Sequence, residues 1–243
     1  MTRFKNKICV VTGGGSGIGK AVARQLAGEG GKVAILSRTE DEGNAVVAEI
    51  AAAGGTAIFL KTDVGNPEQV QAAVDSILKK WKRVDVLING AAMMTFKPIT
   101  ELAVEEWDQL MAVNLRAVFL LCKHCLPHMK NGAIVNISSV HAHETSANVI
   151  PYAASKGAME AFTRGLSREY DSSQVRVNSV APGAVDTPML WENPNVKNGE
   201  EKIEGAIGKP EDIAEVICFL ASPQAAFVNG TTVVADGGRL NIL

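Results

Sequence analysis

The sequence predicts an α/β fold in which a seven-stranded parallel sheet is doubly wound, so that helices flank both faces. Short apolar runs alternate with longer helical patterns from one end of the chain to the other. Strands joined by helices require right-handed crossovers, which place helices on both sides of a parallel sheet. The composition agrees, because apolar residues make up 47% of the 243 residues and aromatics only 5%. This suits strands of Val, Ile, Leu and Ala that are buried on both faces.

The predicted elements follow in a regular order. Strands are expected over residues 8–11, 33–36, 57–60, 84–88, 133–137, 175–180 and 232–235. Helices are expected over about 18–26, 39–53, 66–81, 103–128, 152–170 and 210–221. Thr39 with Glu42 matches a capping box, and Pro67 and Pro210 mark two further helix starts. Since no linker or repeat separates these elements, we expect residues 1–243 to form a single domain.

One segment lacks this regularity. Residues 186–208 (DTPMLWENPNVKNGEEKIEGAIG) are polar, interrupted by Gly and Pro, and only weakly periodic. Ligands of doubly wound sheets bind at the carboxyl ends of the strands. We therefore predict that residues 186–208 form a lid over a binding site at that edge.

Charge and composition exclude several classes of function. The formal charge is −2 and the pI about 6.1, which provides no positive field for nucleic acid or an anionic membrane. We expect no signal peptide, because the first apolar run is short and ends in glycines. No apolar run reaches the roughly 18 residues that a membrane span needs. Four cysteines are too few for a disulfide scaffold, so we expect reduced thiols and a cytoplasmic location.

A glycine-rich loop follows the first predicted strand. Residues 12–19 read TGGGSGIG, with Gly13, Gly17 and Gly19 in the pattern T-G-x-x-x-G-x-G. Glycines allow a tight turn from strand to helix and let backbone N–H groups approach a pyrophosphate at the helix N-terminus. The alternative is a plain turn, but a position between the first strand and first helix favours phosphate binding, with Ser16 and Ile18 completing the loop. The string is not the G-x-G-x-x-G fingerprint of dinucleotide-binding folds, but its position after the first strand predicts a Rossmann-like dinucleotide-binding domain.

The end of the second strand indicates which dinucleotide binds. A carboxylate there would accept the adenosine ribose 2′-hydroxyl and repel a 2′-phosphate. The chain instead has Ser37 and Arg38, and a guanidinium can bind a phosphate and stack on adenine. Glu40 and Asp41 fall in the first turn of the next helix, where the helix dipole explains them. We therefore predict NADP(H), with NAD(H) as the alternative if Arg38 is only a solvated surface residue.

Short motifs along nearly the whole chain resemble those of the short-chain dehydrogenase/reductase family. They are TGGGSGIG at 12–19, DV at 63–64, NGAA at 89–92, VNL at 113–115, ISS at 137–139, YAASK at 152–156 and APG at 181–183. The family usually has Asn where this chain has Gly90, so a side chain that could brace the neighbouring strand is missing. The resemblance implies further cofactor contacts at Asp63, Val64, Asn89, Ala91, Tyr152, Lys156, Pro182, Gly183, Val185 and Thr187.

Tyr152 and Lys156 are the main candidates for chemistry. They lie four residues apart, so their side chains share one face of a helix. A nearby ammonium, the helix N-terminus and an oxidised nicotinamide would each favour the phenolate and lower the pKa of the tyrosine. The resemblance implies that Tyr152 is the general acid and base, while Lys156 holds the nicotinamide ribose. It also implies that Ser139 stabilises the substrate oxygen and that Asn114 supports a proton-relay water.

Four further residues are candidates for substrate contact. His141 and His143 follow Ser139 and could bond a polar substrate, although loop histidines are also often simply exposed. Met189 and Trp191 lie in the predicted lid, where they could form an apolar pocket wall or only anchor the lid.

A metal site is not expected. Cys122 and Cys125, with His124 and His128, have ligand-like spacing, but no second pair completes a zinc site. On a helix both cysteines continue an apolar face, where a free cysteine behaves as a small hydrophobe. The resemblance also implies a homotetramer, or a homodimer, formed through the helical regions 103–128 and 152–170.

These observations predict an oxidoreductase that interconverts a carbonyl and a secondary alcohol by hydride transfer with NADP(H). The substrate stays open between a 3-ketoacyl thioester, a sugar such as glucose and a small ketone. An NAD-dependent alcohol or sugar dehydrogenase is one alternative. A non-catalytic protein that senses dinucleotides is another, and a purely structural subunit would bind no nucleotide.

Overall fold

A seven-stranded parallel sheet forms the centre of the protein. The computed structural model describes residues 2–199, 203 and 205–241. The sheet has the order β3-β2-β1-β4-β5-β6-β7, and every pairing is parallel. The predicted fold class is confirmed. The strands are β1 (Ile8–Thr12), β2 (Lys32–Ser37), β3 (Thr56–Lys61), β4 (Val86–Asn89), β5 (Gly132–Ile137), β6 (Val175–Pro182) and β7 (Thr232–Ala235).

Helices cover both faces of this sheet. One apolar cluster joins the sheet to α1, α2 and α9, and a second joins the opposite face to α3, α5 and α6. Successive strand residues alternate between the clusters: Cys9 and Val11 belong to the first, Ile8 and Val10 to the second. The helices are α1 (Gly17–Gly28), α2 (Glu40–Ala52), α3 (Pro67–Trp81), α4 (Val104–Met111), α5 (Ala117–Cys125), α6 (Ile150–Glu169), α7 (Pro188–Trp191), α8 (Pro194–Lys197) and α9 (Pro210–Ala221).

The strand order reverses direction between β1 and β4. The chain runs outward from β1 through β2 to β3, then crosses to β4 and runs outward on the other side. The loops after β1 and β4 therefore diverge at the carboxyl ends of the strands, where doubly wound folds bind their ligands. The Thr12 hydroxyl bridges the two strands here by accepting the N–H groups of Gly90 and Ala91 at 3.0 and 3.1 Å.

One local prediction about the helices is wrong. The side chain of Thr39 makes no capping hydrogen bond at the start of α2, and the side chain of its predicted partner Glu42 extends toward the glycine loop. The helical region predicted over 103–128 is confirmed, with a π-helical turn, Ala112–Arg116, between α4 and α5. The start predicted at Asn66 is correct, since its side chain accepts the Gln69 N–H at 2.9 Å.

The stretch Val104–His128 has the length and composition of a membrane span, with a mean hydropathy of 1.3. More than half of its most apolar window, 56%, is buried inside the protein. Core helices of folded domains have the same composition. Since α5 supplies Cys122 and Cys125 to the apolar cluster under the sheet, we interpret this stretch as a core helix.

Candidate active site

A cavity of about 320 Å³ opens at the carboxyl ends of the strands. Its volume falls within the roughly 300–1,000 Å³ typical of small-molecule sites. Loops that follow strands β1 to β6, together with the start of α6, form its walls. The sequence-predicted residues that line it are Gly13, Ser16, Gly17, Ile18, Gly19, Ser37, Arg38, Asp63, Val64, Ala91, Ser139, His141, Tyr152, Lys156, Pro182, Gly183, Val185, Thr187 and Met189.

The glycine loop forms one wall of the cavity at a place too tight for side chains. A Cβ atom on Gly19 would lie 2.2 Å from the Gly13 carbonyl oxygen, and one on Gly13 would lie 3.0 Å from the Ala91 Cα atom. Gly13 and Gly17 also have φ angles of +67° and +49°, which favour glycine. The first turn of α1 lines the same wall, and its free N–H groups suit an anion. The loop therefore fits a dinucleotide pyrophosphate.

Two side chains of opposite charge line the cavity where β2 ends. Ser37 and Arg38 line the cavity there, and so does Glu42 of α2. A Cβ atom on Gly15 would lie 3.1 Å from Ser37 Oγ and 3.4 Å from Glu42 Oε2. Within the described part of the chain, neither Arg38 nor Glu42 forms an ion pair. The sequence did not indicate that Glu42 lines the cavity, because a row of acidic residues is typical of any helix N-terminus.

Tyr152 and Lys156 meet on one face of α6, as the spacing predicts. Tyr152 is 7% exposed. Lys156 Nζ donates to the Ile137 carbonyl at 2.6 Å and lies 5.4 Å from the centroid of the Tyr152 ring. Burial raises the pKa of Tyr152 to about 12, although a hydrogen bond with Ser139 opposes this, and burial lowers the pKa of Lys156 to about 7. In the protein without dinucleotide, desolvation therefore outweighs the neighbouring groups that were expected to lower the pKa of Tyr152.

Ser139 and His141 approach Tyr152 from the end of β5. Ser139 precedes a 3-10 turn, Val140–Ala142, and its Oγ accepts the His141 N–H at 3.2 Å. The His141 ring meets the Tyr152 ring edge-on, with centroids 5.7 Å apart, and its Nδ1 lies 3.0 Å from Thr145 Oγ1. The Tyr152 phenol, the Ser139 hydroxyl and the His141 imidazole thus converge at one end of the cavity. This arrangement can protonate and stabilise a carbonyl oxygen.

Two predicted site residues brace the cavity without lining it. Asn89 Nδ2 donates to Asn136 Oδ1 at 2.8 Å, so its side chain points along the sheet rather than into the cavity. Asn114 lies in the π-helical turn, a feature often found at functional sites. Its side chain bonds both backbone groups of Met93, at 2.8 and 2.9 Å, and Ser155 Oγ at 3.1 Å. It therefore ties the loop after β4 to α6.

Two candidates for substrate contact also lie outside the cavity lining. His143 Nε2 lies 3.2 Å from a carboxylate oxygen of Glu160. Trp191 Nε1 donates to Asp186 Oδ1 at 2.6 Å, in agreement with a role in anchoring the lid. Glu160 of α6 thus holds the His143 side chain, and Asp186 in the segment after β6 holds that of Trp191.

The predicted lid begins with two short helices, α7 and α8. Its residues 200–202 and 204 lie outside the described residues. Met189 and Ile203 contribute apolar side chains to the cavity. Arg239, after β7, also lines the cavity, and sequence reasoning missed it because the chain end carries no recognisable motif.

Gly90 fits its position despite the departure from the family pattern. A Cβ atom there would lie 2.9 Å from the Thr12 carbonyl oxygen and 3.0 Å from Ile137 Cδ1. The Thr12 hydroxyl holds the Gly90 N–H, so the loop is braced without a side chain at this position.

The cysteine pair has no metal-site geometry. Cys122 and Cys125 are both buried in the apolar cluster beneath the sheet, and burial raises the pKa of Cys125 to about 12. Among residues 2–199, 203 and 205–241, no three or more His, Cys, Asp or Glu side chains could hold a metal ion together.

Comparisons with known proteins cover nearly the whole chain. A family model described as enoyl-(acyl carrier protein) reductase matches residues 13–239. The chain is 36% identical over 246 residues to cyclopentanol dehydrogenase of Comamonas testosteroni, with 98% of each chain covered. It is 37% identical over 245 residues to 3beta-hydroxysteroid dehydrogenase 1 of Eggerthella lenta, with 97% of this chain and 94% of the relative covered.

A solved structure gives the same result. A short-chain dehydrogenase from Burkholderia cenocepacia, in complex with NADP, superimposes with a TM-score of 0.89 at 33% identity, covering 97% of this chain and 98% of that one. The relatives are named dehydrogenases and reductases that act on CH–OH groups. Because sequence and fold agree over almost the full length, the chain belongs to the short-chain dehydrogenase/reductase family, and it is an oxidoreductase.

Proposed function

We propose that the protein interconverts a ketone and a secondary alcohol with NADP(H), and that Tyr152 is its general acid and base. The observation that carries the proposal is the convergence of Ser139, His141 and Tyr152 at one end of a cavity lined by the glycine loop. The loop would hold the pyrophosphate, Arg38 the 2′-phosphate and Lys156 the nicotinamide ribose. When bound, the dinucleotide supplies the hydride-transfer chemistry.

The protein's own groups handle the proton and the charge. In reduction, the Tyr152 hydroxyl donates its proton to the substrate oxygen, while the Ser139 hydroxyl bonds the same oxygen and stabilises negative charge as it develops. A pKa of about 12 keeps Tyr152 protonated near neutral pH, which is the form that a general acid needs. Oxidation needs the phenolate, which burial disfavours in the protein without dinucleotide.

The walls of the cavity favour an apolar ketone over a sugar. Met94, Val140, Met189, Leu190 and Ile203 contribute apolar side chains to the cavity lining. Burying sugar hydroxyls against such walls would leave them without hydrogen bonds, which is costly. The relatives named for a cyclic alcohol and a steroid support the same choice, so cyclopentanone is the first substrate to test.

The test compares the wild type with Tyr152→Phe. We expect both proteins to bind NADPH, measured by fluorescence titration, and cyclopentanone reduction to fall by about 10²–10⁴-fold in the variant. Equal turnover would remove Tyr152 from the mechanism. Dinucleotide binding with no turnover of any ketone by the wild type would favour the sensing alternative, and no binding at all would favour the structural one.

We also propose that α4, α5 and α6 carry a homotetramer or homodimer interface. Phe119 is 47% exposed and lines a shallow groove with Leu115 of the π-helical turn and Phe162 of α6. Exposed apolar side chains grouped in this way often mark an association surface. Light scattering would test this: the wild type should be oligomeric and Phe119→Glu should weaken the assembly, whereas a monomeric wild type would contradict it.

The four cysteines are free and buried, which supports a cytoplasmic location.

A further inference from the structure

Glu160 is a buried carboxylate that the proposed chemistry does not use. It lies one helical turn after Lys156 on α6 and is 5% exposed. Its Oε1 atom accepts a hydrogen bond from Ser138 Oγ at 2.8 Å and lies 3.2 Å from His143 Nε2. A carboxylate withdrawn from water is costly unless it is paired and hydrogen-bonded. Both conditions are met here by residues of the segment after β5.

The two partners of Glu160 bracket the segment that carries the reactive serine. Ser138 precedes Ser139, and His143 directly follows the 3-10 turn Val140–Ala142. Ser139 and His141, the two side chains that approach Tyr152, therefore lie between the two bonds to Glu160.

The sheet does not hold this segment by itself. The last sheet-like bond on the β5 side is the Ser138 N–H donating to the Val180 carbonyl at 2.7 Å. The backbone N–H groups of residues 142–144 bond only within the turn, to the carbonyls of Ser139 and Val140. Side-chain contacts therefore set the distance between the turn and α6. Val140 is buried in the turn, and the Lys156 bond to the Ile137 carbonyl fixes only the end of β5.

We propose that Glu160 and His143 form a clamp that positions residues 139–142 against Tyr152. Glu160 is thus a positioning residue, since it touches neither the cavity nor the reacting groups. Tyr152 and Glu160 belong to the same helix, so a bond from the turn to Glu160 fixes the turn relative to the tyrosine. This inference rests on the proposed roles of Ser139 and Tyr152.

The chemistry of the pair suits this role. The imidazole Nε2–H can donate to the carboxylate whether the ring is neutral or protonated, and the protonated ring adds an ion pair. The His143 side chain is 39% exposed and that of Glu160 only 7%, so the histidine covers the carboxylate from the solvent side.

Four variants separate the clamp from general stability. His143→Ala removes the donor, while His143→Gln keeps an amide N–H close to the place of Nε2. Glu160→Gln removes the charge but keeps an acceptor for Ser138. Glu169→Gln, an exposed position near the end of the same helix, is the matched control.

The first measurement is hydrogen exchange of the backbone amides of residues 139–144 in the protein without dinucleotide. We expect exchange to be about tenfold faster in His143→Ala and Glu160→Gln than in the wild type, with no change in the control. His143→Gln should restore most of the protection. Equal exchange in the wild type and His143→Ala would overturn the clamp, whatever the activity.

The second measurement is the kinetics of cyclopentanone reduction by NADPH. We expect kcat/KM for the ketone to fall about tenfold in His143→Ala and Glu160→Gln, with unchanged NADPH affinity, because a displaced serine affects only the substrate oxygen. Equal losses of NADPH affinity and ketone turnover would indicate a general structural defect and overturn the clamp. If the wild type does not reduce cyclopentanone, the proposed activity fails while the exchange measurement still decides the clamp.

Discussion

The Lys156 ammonium nitrogen lies 5.4 Å from the centroid of the Tyr152 ring, one helical turn along the same face of α6. Burial acts on both groups in the direction that disfavours charge, and it brings the pKa of Tyr152 to about 12 and that of Lys156 to about 7. Without dinucleotide, Tyr152 is therefore neutral at physiological pH, and Lys156 is partly deprotonated. A neutral phenol beside the Ser139 hydroxyl is the acid form that carbonyl reduction requires.

Lys156→Met should stabilise the protein at neutral pH while abolishing turnover. The pKa of Lys156 is about 7 in the folded protein and near 10.5 in a free lysine, so between pH 7 and 10.5 the unfolded chain binds more protons. Stability of the wild type must then rise with pH across this window. Urea unfolding without dinucleotide should show the wild type gaining about 2 kcal/mol between pH 7 and 9, and the variant much less. The same pH dependence in both proteins would mean that Lys156 is charged in the fold.

Ser139→Ala should shift the pH profile of alcohol oxidation toward higher pH. The hydrogen bond from Ser139 lowers the pKa of Tyr152, against the effect of burial. Its loss raises that pKa further, so the phenolate that oxidation needs forms only at higher pH. The measurement is kcat/KM for cyclopentanol against pH in both proteins. An unchanged midpoint, even with a lower rate, would show that Ser139 does not bond the tyrosine.

Arg38 and Glu42 should act in opposite directions on the choice of dinucleotide. Both line the cavity where β2 ends, and they carry opposite charges. Arg38→Gln should weaken NADPH binding about tenfold through the loss of a charge-assisted phosphate contact. Glu42→Gln should tighten NADPH binding about threefold, because an exposed charge acts weakly through solvent. NADH affinity should change less than NADPH affinity in both variants, because NADH lacks the 2′-phosphate on which these charges act.

Asp41→Asn provides the control for Glu42, since Asp41 is exposed in the same turn but does not line the cavity. Equal NADPH affinity in the wild type and Arg38→Gln would make NAD the better candidate cofactor.

Arg176 should matter for stability and not for chemistry. Its buried guanidinium donates to the carbonyls of Leu220, Ser222 and Ala225 at 2.7, 2.8 and 2.9 Å, in the last turn of α9 and just beyond it. Arg176→Met would remove three charge-assisted hydrogen bonds, although the carbonyls of Ser222 and Ala225 would still accept backbone N–H groups. We expect a loss of about 3 kcal/mol in urea unfolding. Arg164→Met, at an exposed site of α6, should cost much less. At urea concentrations too low to unfold the variant, its NADPH affinity should equal that of the wild type. A loss of affinity in the folded variant would contradict this assignment.

The order of strands and helices could be predicted because it depends on local patterns. Buried parallel strands need continuous apolar runs, and each helix needs an apolar stripe, so both leave a periodic record in the chain. The Thr39 cap failed for a physical reason. Glu42 has no partner in the cap and extends into the cavity beside Gly15, which no local spacing could indicate.

The glycine loop, the Tyr152–Lys156 pair and the family could all be inferred from the amino-acid sequence, since each is carried by short motifs whose residues are close together in the chain. Which polar side chains face the cavity follows from the tertiary structure alone. Glu42 and Arg239 line it, whereas Asn89, Asn114 and His143 bond to other segments. It also decided the direction of the two pKa shifts, because desolvation depends on how distant segments pack around a side chain, and sequence spacing contains no record of that packing.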